Sequence, residues 1–85
     1  MGRQEEMAKK QVTLFFPQHL IKEPVIYMMA KEHNVVPNIR RARVTENVGE
    51  VTLELEGPEE SLKKAVIFLE QKGVKVEPVV GDVVS

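Results

Sequence analysis

The chain of 85 residues contains no cysteine and no tryptophan, and its aromatic residues are one tyrosine and three phenylalanines. Without cysteine it forms no disulfide and offers no cysteine–histidine spacing for structural zinc. No apolar run approaches the about 20 residues of a membrane span, and the start of the chain lacks the apolar core of a signal peptide. The net charge of −1 gives no general attraction to nucleic acid or anionic lipid. We therefore expect a cytoplasmic protein that binds no nucleic acid and does not insert directly into a membrane.

The length bounds the chain to one small domain. A domain of this size buries only about 60% of the surface that its unfolded chain exposes, so dimerisation would supplement its core. We expect residues 1–10 to form a flexible N-terminus, residues 11–80 to form the domain and residues 81–85 to form a tail.

Hydrophobic periodicity predicts both kinds of secondary structure. Alternation with a period of two predicts four strands, at residues 11–16, 38–46, 50–56 and 74–79. Helical spacing predicts two helices, at residues 24–33 and 57–72. Pro24 suits the first turn of the first helix, Asn34 suits a left-handed cap at its end, and Gly73 stops the second helix.

The order of these elements, β-α-β-β-α-β, is that of the ferredoxin-like sandwich, an α+β fold with two helices on one face of a four-stranded antiparallel sheet. Right-handed crossovers give the strand order 4-1-3-2, which places the second and fourth strands at the edges. In the second strand, period two puts Ile39 with arginines on one face and Ala42 and Val44 with Asn38 on the other. Neither face is cleanly apolar, which fits an edge strand.

The sequence lacks the residues that several known functions of this fold require. An RNA-binding sheet needs basic and aromatic residues on its central strands, whereas the third strand presents Glu50, Glu54 and Glu56. Residues 17–21 contain neither the cysteines of a metal carrier nor the arginine and glycines of an acylphosphatase. We therefore expect no RNA partner, no metal and no cofactor.

Neither histidine has a neighbour that suggests chemistry. His19 and His33 lack a nearby cysteine or aspartate for metal binding or acid–base catalysis, so we interpret both as surface residues. No nucleophile–base or paired-carboxylate arrangement can be built from the chain, and we expect no enzyme.

The only basic cluster is Arg40, Arg41 and Arg43. Cations on an edge strand oppose aggregation, and Glu54 and Glu56 of the next strand can face Arg41 and Arg43. The alternative interpretation is a contact with an anion or with a protein partner.

Three motifs in residues 12–79 resemble the NIL domain: Pro24 opening the first helix, Asn38-Ile39 opening the second strand, and a strand that ends in Glu-Leu-x-Gly at residues 54–57. NIL domains form the C-terminal regulatory part of bacterial methionine-importer ATPases and also occur fused to small iron–sulfur modules. The resemblance implies a ferredoxin-like domain, similar to the ACT regulatory domain, that dimerises and binds L-methionine near the dimer interface. In the importers, a filled site holds the transporter inactive.

The resemblance also implies the binding residues. The family's ligand contact is the asparagine before the isoleucine, which falls on Asn38. An asparagine amide has two donors and two acceptor lone pairs, so it can bind both the ammonium and the carboxylate of an amino acid. We expect Ile39 and Val36 to line a pocket for the thioether side chain of methionine.

The chain departs from the family pattern in three ways. It has no GxxxxGK[ST] phosphate loop, so we expect a stand-alone domain rather than the importer's motor, and it has no cysteine motif. Its turn at residues 45–50 is shorter than the family's loop. Arginines replace mostly neutral residues beside Asn38.

The sequence therefore predicts a non-catalytic regulatory domain that binds an amino acid as a homodimer and acts on a transporter or enzyme. The alternative is a protein-interaction module of the same fold that has lost ligand binding.

Overall fold

The computed structural model describes residues 7–79. In chain order the elements are β1 (Met7–Phe16), a short 3-10 turn (Gln18–Leu20), α1 (Val25–His33), β2 (Val36–Val44), β3 (Gly49–Pro58), α2 (Glu59–Lys72) and β4 (Lys75–Pro78). The strands form one antiparallel sheet in the order β2-β3-β1-β4. The predicted ferredoxin-like fold, with the second and fourth strands at the edges, is confirmed.

The first strand begins earlier than predicted. Its ladder with β3 runs from Met7 opposite Pro58 to Phe16 opposite Gly49, so backbone pairing extends β1 four residues before residue 11. Residues 7–10, which we expected in a flexible N-terminus, therefore belong to the sheet. The rest of that segment and the tail at residues 81–85 lie outside the described residues.

The strands of the β2–β3 hairpin also begin and end at other residues than predicted. β2 runs from Val36 to Val44 rather than over residues 38–46, and β3 begins at Gly49. The turn is closed at Thr45, whose Oγ1 accepts hydrogen bonds from the backbone N–H groups of Asn47 and Val48. Because a side chain supplies these bonds, β2 ends two residues before the predicted residue 46, whereas β3 begins one residue before the predicted residue 50.

Both helix ends lie where the sequence predicted. Asn34 follows α1 with φ 57° and ψ 47°, a left-handed conformation that asparagine tolerates better than most residues. Gly73 follows α2 with φ 105°, and its N–H donates to the carbonyl of Glu70. These caps return each helix to the sheet.

The core lies between the helices and the two central strands. Its fully buried sheet residues alternate along β1 and β3: Val12, Leu14, Leu53 and Leu55. From the helices, Val25, Met29, Ala65 and Leu69 pack against them. No residue of β2 is buried, since the core is centred on β1 and β3. Neither helix of residues 7–79 has the length and hydropathy that a membrane crossing requires.

Candidate functional site

The exposed edge strand β2 holds every site residue that the sequence predicted. In the part of the chain that the structure describes, β2 pairs with β3 along one side only, so the backbone groups of its other side have no strand partner. Val36, Ile39 and Val44 are 54%, 59% and 56% exposed. An edge with free backbone groups and apolar side chains is a surface suited to pairing with another chain.

The register with β3 assigns the predicted ligand residues to two faces of the sheet. Asn38 lies opposite Glu54, on the open face away from the helices, and Val36 shares that face. Ile39 lies opposite Leu53, on the helix side. In one chain, therefore, Asn38 and Val36 are brought together and Ile39 points away from them.

A β-bulge between Ile39 and Arg41 changes the faces that period two predicted. Beyond the bulge, Ala42 lies opposite Val51 and Val44 opposite Gly49, which puts both on the helix side with Ile39. From Asn38 onward, the bulge thus gives β2 one apolar side and one polar side, because a single extra residue reverses the alternation.

The arginines all reach the open face. Arg40, the extra residue of the bulge, places its Nη2 at 3.1 Å from the Oε1 of Glu54. The expected pairing of Glu54 with Arg41 or Arg43 is wrong, because the bulge brings Arg40 to that carboxylate. The expected partner Glu56 lies opposite Val36 instead.

Arg41 and Arg43 border a small cleft of about 130 Å³ with Glu50 and Thr52. Arg41 lies opposite Thr52 and Arg43 opposite Glu50 in the ladder. Within residues 7–79 neither arginine forms an ion pair. Two guanidinium groups, a carboxylate and a hydroxyl therefore extend the polar row that begins at Asn38.

A second candidate site lies on the helix side of the sheet, and we call it the α1 cavity. It has a volume of about 200 Å³ between the β1–α1 connection, the first turn of α1 and the end of β2. Its lining is mainly apolar and includes Phe16, Ile21, Pro24, Tyr27, Val44 and Val51. Among the residues that the structure describes, Glu23 is the one charged residue in its wall.

Sequence reasoning did not identify the α1 cavity. Residues 17–21 lack the cysteines, arginine and glycines of the functions considered above, although Leu20 and Ile21 are adjacent apolar residues in that segment. Gly49 permits the close approach of this loop, since a Cβ there would lie 3.1 Å from both the Cγ1 of Ile21 and the Cβ of Phe16. An apolar loop residue facing a glycine is the signal that points to such a site.

Neither histidine lines the Asn38 face or the α1 cavity. His19 is exposed and borders a neighbouring cleft that shares Ile21 and Val44 with the α1 cavity. His33 is half-buried with its ring edge-on to Phe68 at 5.2 Å between centroids. Among residues 7–79, no group of three metal-ligating side chains comes together.

The fold is that of a ferredoxin-like domain in which, within the described residues, the outer side of the edge strand β2 has no strand partner. The chain belongs to the NIL domain family, whose model matches residues 10–78. It is similar to the crystal structure of the C-terminal domain of an ABC transporter ATP-binding protein from Enterococcus faecalis. That likeness has 25% identity, a TM-score of 0.74 and coverage of 86% of each chain. A search of curated proteins found no match.

Proposed function

We propose that this NIL domain is a regulatory domain that binds an amino acid at or near a homodimer interface, with L-methionine as the first candidate. The domain performs no chemistry itself. Binding changes its conformation or association and so acts on a partner. The similar domain from Enterococcus faecalis belongs to a transporter ATP-binding protein, which supports a transporter as that partner.

The observation that carries the proposal is the free edge of β2. Within residues 7–79 its backbone is paired on one side only, and no residue of the strand is buried. Antiparallel pairing of two β2 strands would cover Val36, Ile39 and Val44 and give one sheet with four strands from each protomer. A small core gains stability from such an interface.

Asn38 is the polar contact that we propose for the ligand. It is exposed at the start of this edge, where a second protomer can complete a site around it. Arg41 and Arg43 on the same face offer guanidinium donors to a carboxylate, and Glu50 offers an acceptor to an ammonium. Val36 adds an apolar surface beside Asn38. Ile39 adds an apolar side chain on the opposite, helix side of the sheet.

A second candidate function is a protein-interaction module without a ligand. Arg41 and Arg43 favour it, because within the described residues both guanidinium groups are free of ion pairs. Such a module would pair its edge or open face with an acidic protein surface. Its stability would depend on protein concentration but not on amino acids.

The test is an amide NMR titration of the whole chain with L-methionine, with L-leucine as the control ligand. We expect saturable shifts with methionine alone and a matching rise in thermal stability. At a hundredfold excess over Kd, a single site adds about 2.7 kcal/mol to the free energy of unfolding. An absence of shifts at millimolar methionine would refute the methionine proposal and favour the interaction module.

A further inference from the structure

We propose that residues 80–83 of this chain dock as a continuation of β4 along the first part of β1, and that Asp82 there contacts a cleft lined by lysines between β1 and α2. We call the docking site the β1 notch, which is the side of Met7–Gln11 that faces away from β3. It lies at the edge of the sheet opposite to β2, and its occupation does not depend on the proposed ligand.

The β1 notch arises because β1 is longer than the edge strand beside it. β1 has ten residues and β4 has four. β3 pairs with β1 from Met7 to Phe16, whereas β4 pairs with β1 only from Val12 to Phe15. Within residues 7–79, the first part of β1 therefore has a strand partner on one side only. A row of backbone groups without a strand partner accepts an added strand.

The hydrogen bonding between β4 and β1 already continues one residue beyond Pro78. The N–H of Val79 donates to the carbonyl of Gln11 at 3.0 Å. Backbone groups alternate in direction along a strand, so the N–H and the carbonyl of Lys9 point to the same side as those of Gln11. In the same register Gly81 lies opposite Lys9, and its backbone can form the next pair of hydrogen bonds. The chain after Val79 therefore needs no change of direction to fill the notch.

The cleft beside the notch has the charge that suits Asp82, the one aspartate of the chain. The cleft has a volume of about 190 Å³ and is lined by residues of β1 and α2: Ala8, Lys9, Lys10, Glu59, Leu62 and Lys63. Three lysines and one glutamate make it cationic. The continued register puts Asp82 opposite Ala8, which packs against the core on the helix side. A carboxylate at that position is attracted to Lys10 and Lys63.

The sequence and the connection favour this segment over a strand from a partner. Because Val79 is already bonded to Gln11, residues 80–83 reach the notch without a linker, and their docking is intramolecular. Val80 and Val83 are β-branched, which favours a strand. A separate acidic strand would first have to displace this segment.

The test is amide hydrogen exchange of the whole chain, followed by NMR at the N–H of Lys9. We expect this amide to be protected, because the carbonyl of Gly81 accepts its hydrogen bond. Gly81→Pro removes the N–H that donates to Lys9, and it should raise the exchange rate of the Lys9 amide at least about fivefold. The Lys10 amide points to β3 and should exchange as in the unaltered chain, which separates release of the segment from general unfolding.

Val80→Pro is the matched control for the proline. The N–H of residue 80 would point away from β1, as the nitrogen of Pro78 does opposite Val12. The Lys9 amide should therefore stay protected in this variant.

A second pair of variants tests the contact of Asp82 with the cleft. Asp82→Asn and Lys63→Gln each remove one partner of an exposed ion pair, so each should raise the exchange rate of the Lys9 amide about twofold to fivefold. Lys64→Gln removes the same charge from the next residue of α2, which does not line the cleft, and should leave that rate unchanged.

Three results would overturn the proposal in whole or in part. Exchange of the Lys9 amide in the unaltered chain at the rate of an unpaired amide would overturn the docking. Protection that Gly81→Pro leaves intact and that grows with protein concentration would mean that a second chain fills the notch instead. A response to Gly81→Pro without one to Asp82→Asn would keep the added strand and overturn the contact of Asp82. No methionine is present in these measurements, so none of the results bears on the proposed function.

Discussion

Arg40 donates a hydrogen bond of 3.1 Å from its Nη2 to the Oε1 of Glu54, although Asn38 is the residue directly opposite Glu54 in the ladder. The pair is diagonal because the bulge removes Arg40 from the regular register. It neutralises the carboxylate nearest to Asn38 on the open face. The amide of Asn38 therefore lies between the Arg40–Glu54 ion pair and the outer edge of β2.

Arg40→Ala should have a small effect on stability. The two side chains are 54% and 17% exposed, and solvent-exposed ion pairs of this kind contribute less than about 1 kcal/mol. Urea denaturation should therefore show a loss below that value, with Lys64→Ala on α2 as the control for removing an exposed cation. A loss well above it would mean that the bulge itself depends on the pair.

Gly73→Ala should cost about 1 kcal/mol of unfolding free energy. The nearest atom to a Cβ at residue 73 would be the Cδ1 of Leu20 at 3.7 Å, so the added methyl has room. The cost arises instead from the left-handed backbone, with φ 105°. Asn34→Gly is the converse variant, because it relieves a left-handed non-glycine residue, and denaturation should show equal or higher stability. A large loss in that variant would contradict the backbone explanation.

Leu53→Ala should destabilise the domain far more than either change above. Leu53 is fully buried on β3, between β1 and β2, and such truncations cost about 2–5 kcal/mol. Denaturation should show a clear fall in the transition midpoint, whereas Ile67→Ala, at a residue 52% exposed, should cause little change. Similar losses from both variants would mean that Ile67 is covered in solution, for example by a second chain.

The fold could be predicted because its signals are local. Val12 and Leu14 alternate with polar residues in a strand buried on one face, and Leu53 and Leu55 repeat the pattern. Gly73 permits the left-handed backbone that ends its helix, and such caps act within a few residues. The strand ends were less predictable, because they depend on pairing with distant residues.

The site could be predicted only in part. The resemblance pointed to Asn38. The bulge after Ile39 decides which side chains share the face of Asn38, and no local sequence pattern predicts that extra residue. The α1 cavity depends on contacts between parts of the chain that are distant in sequence, since Ile21 packs beside Gly49.

Asn38→Ala should weaken methionine binding if the amide contacts the ligand as the proposed function states. Loss of a hydrogen-bonding partner to a charged group corresponds to about 1.5–3 kcal/mol, or at least a tenfold rise in Kd. The unfolding free energy should change little, because Asn38 is exposed. Calorimetric titration measures the Kd, and Gln71→Ala, at an exposed amide on α2, is the matched control. Unchanged binding would remove Asn38 from the site and favour contacts made by the α1 cavity alone.

The proposed β2 interface should become stronger as salt is added. Two-fold pairing brings Arg41 and Arg43 of both protomers to the seam, while Glu50 lies one strand further away. Repulsion between these cations falls as the Debye length shortens, from about 10 Å at 0.1 M salt to about 3 Å at 1 M. Sedimentation equilibrium should show a lower dimer Kd at high salt, and Arg41→Gln with Arg43→Gln should lower it already at low salt. Lys63→Gln with Lys64→Gln on α2 removes the same charge away from the seam and should change neither. A dimer that weakens with salt would instead mean that the arginines form ion pairs across the interface.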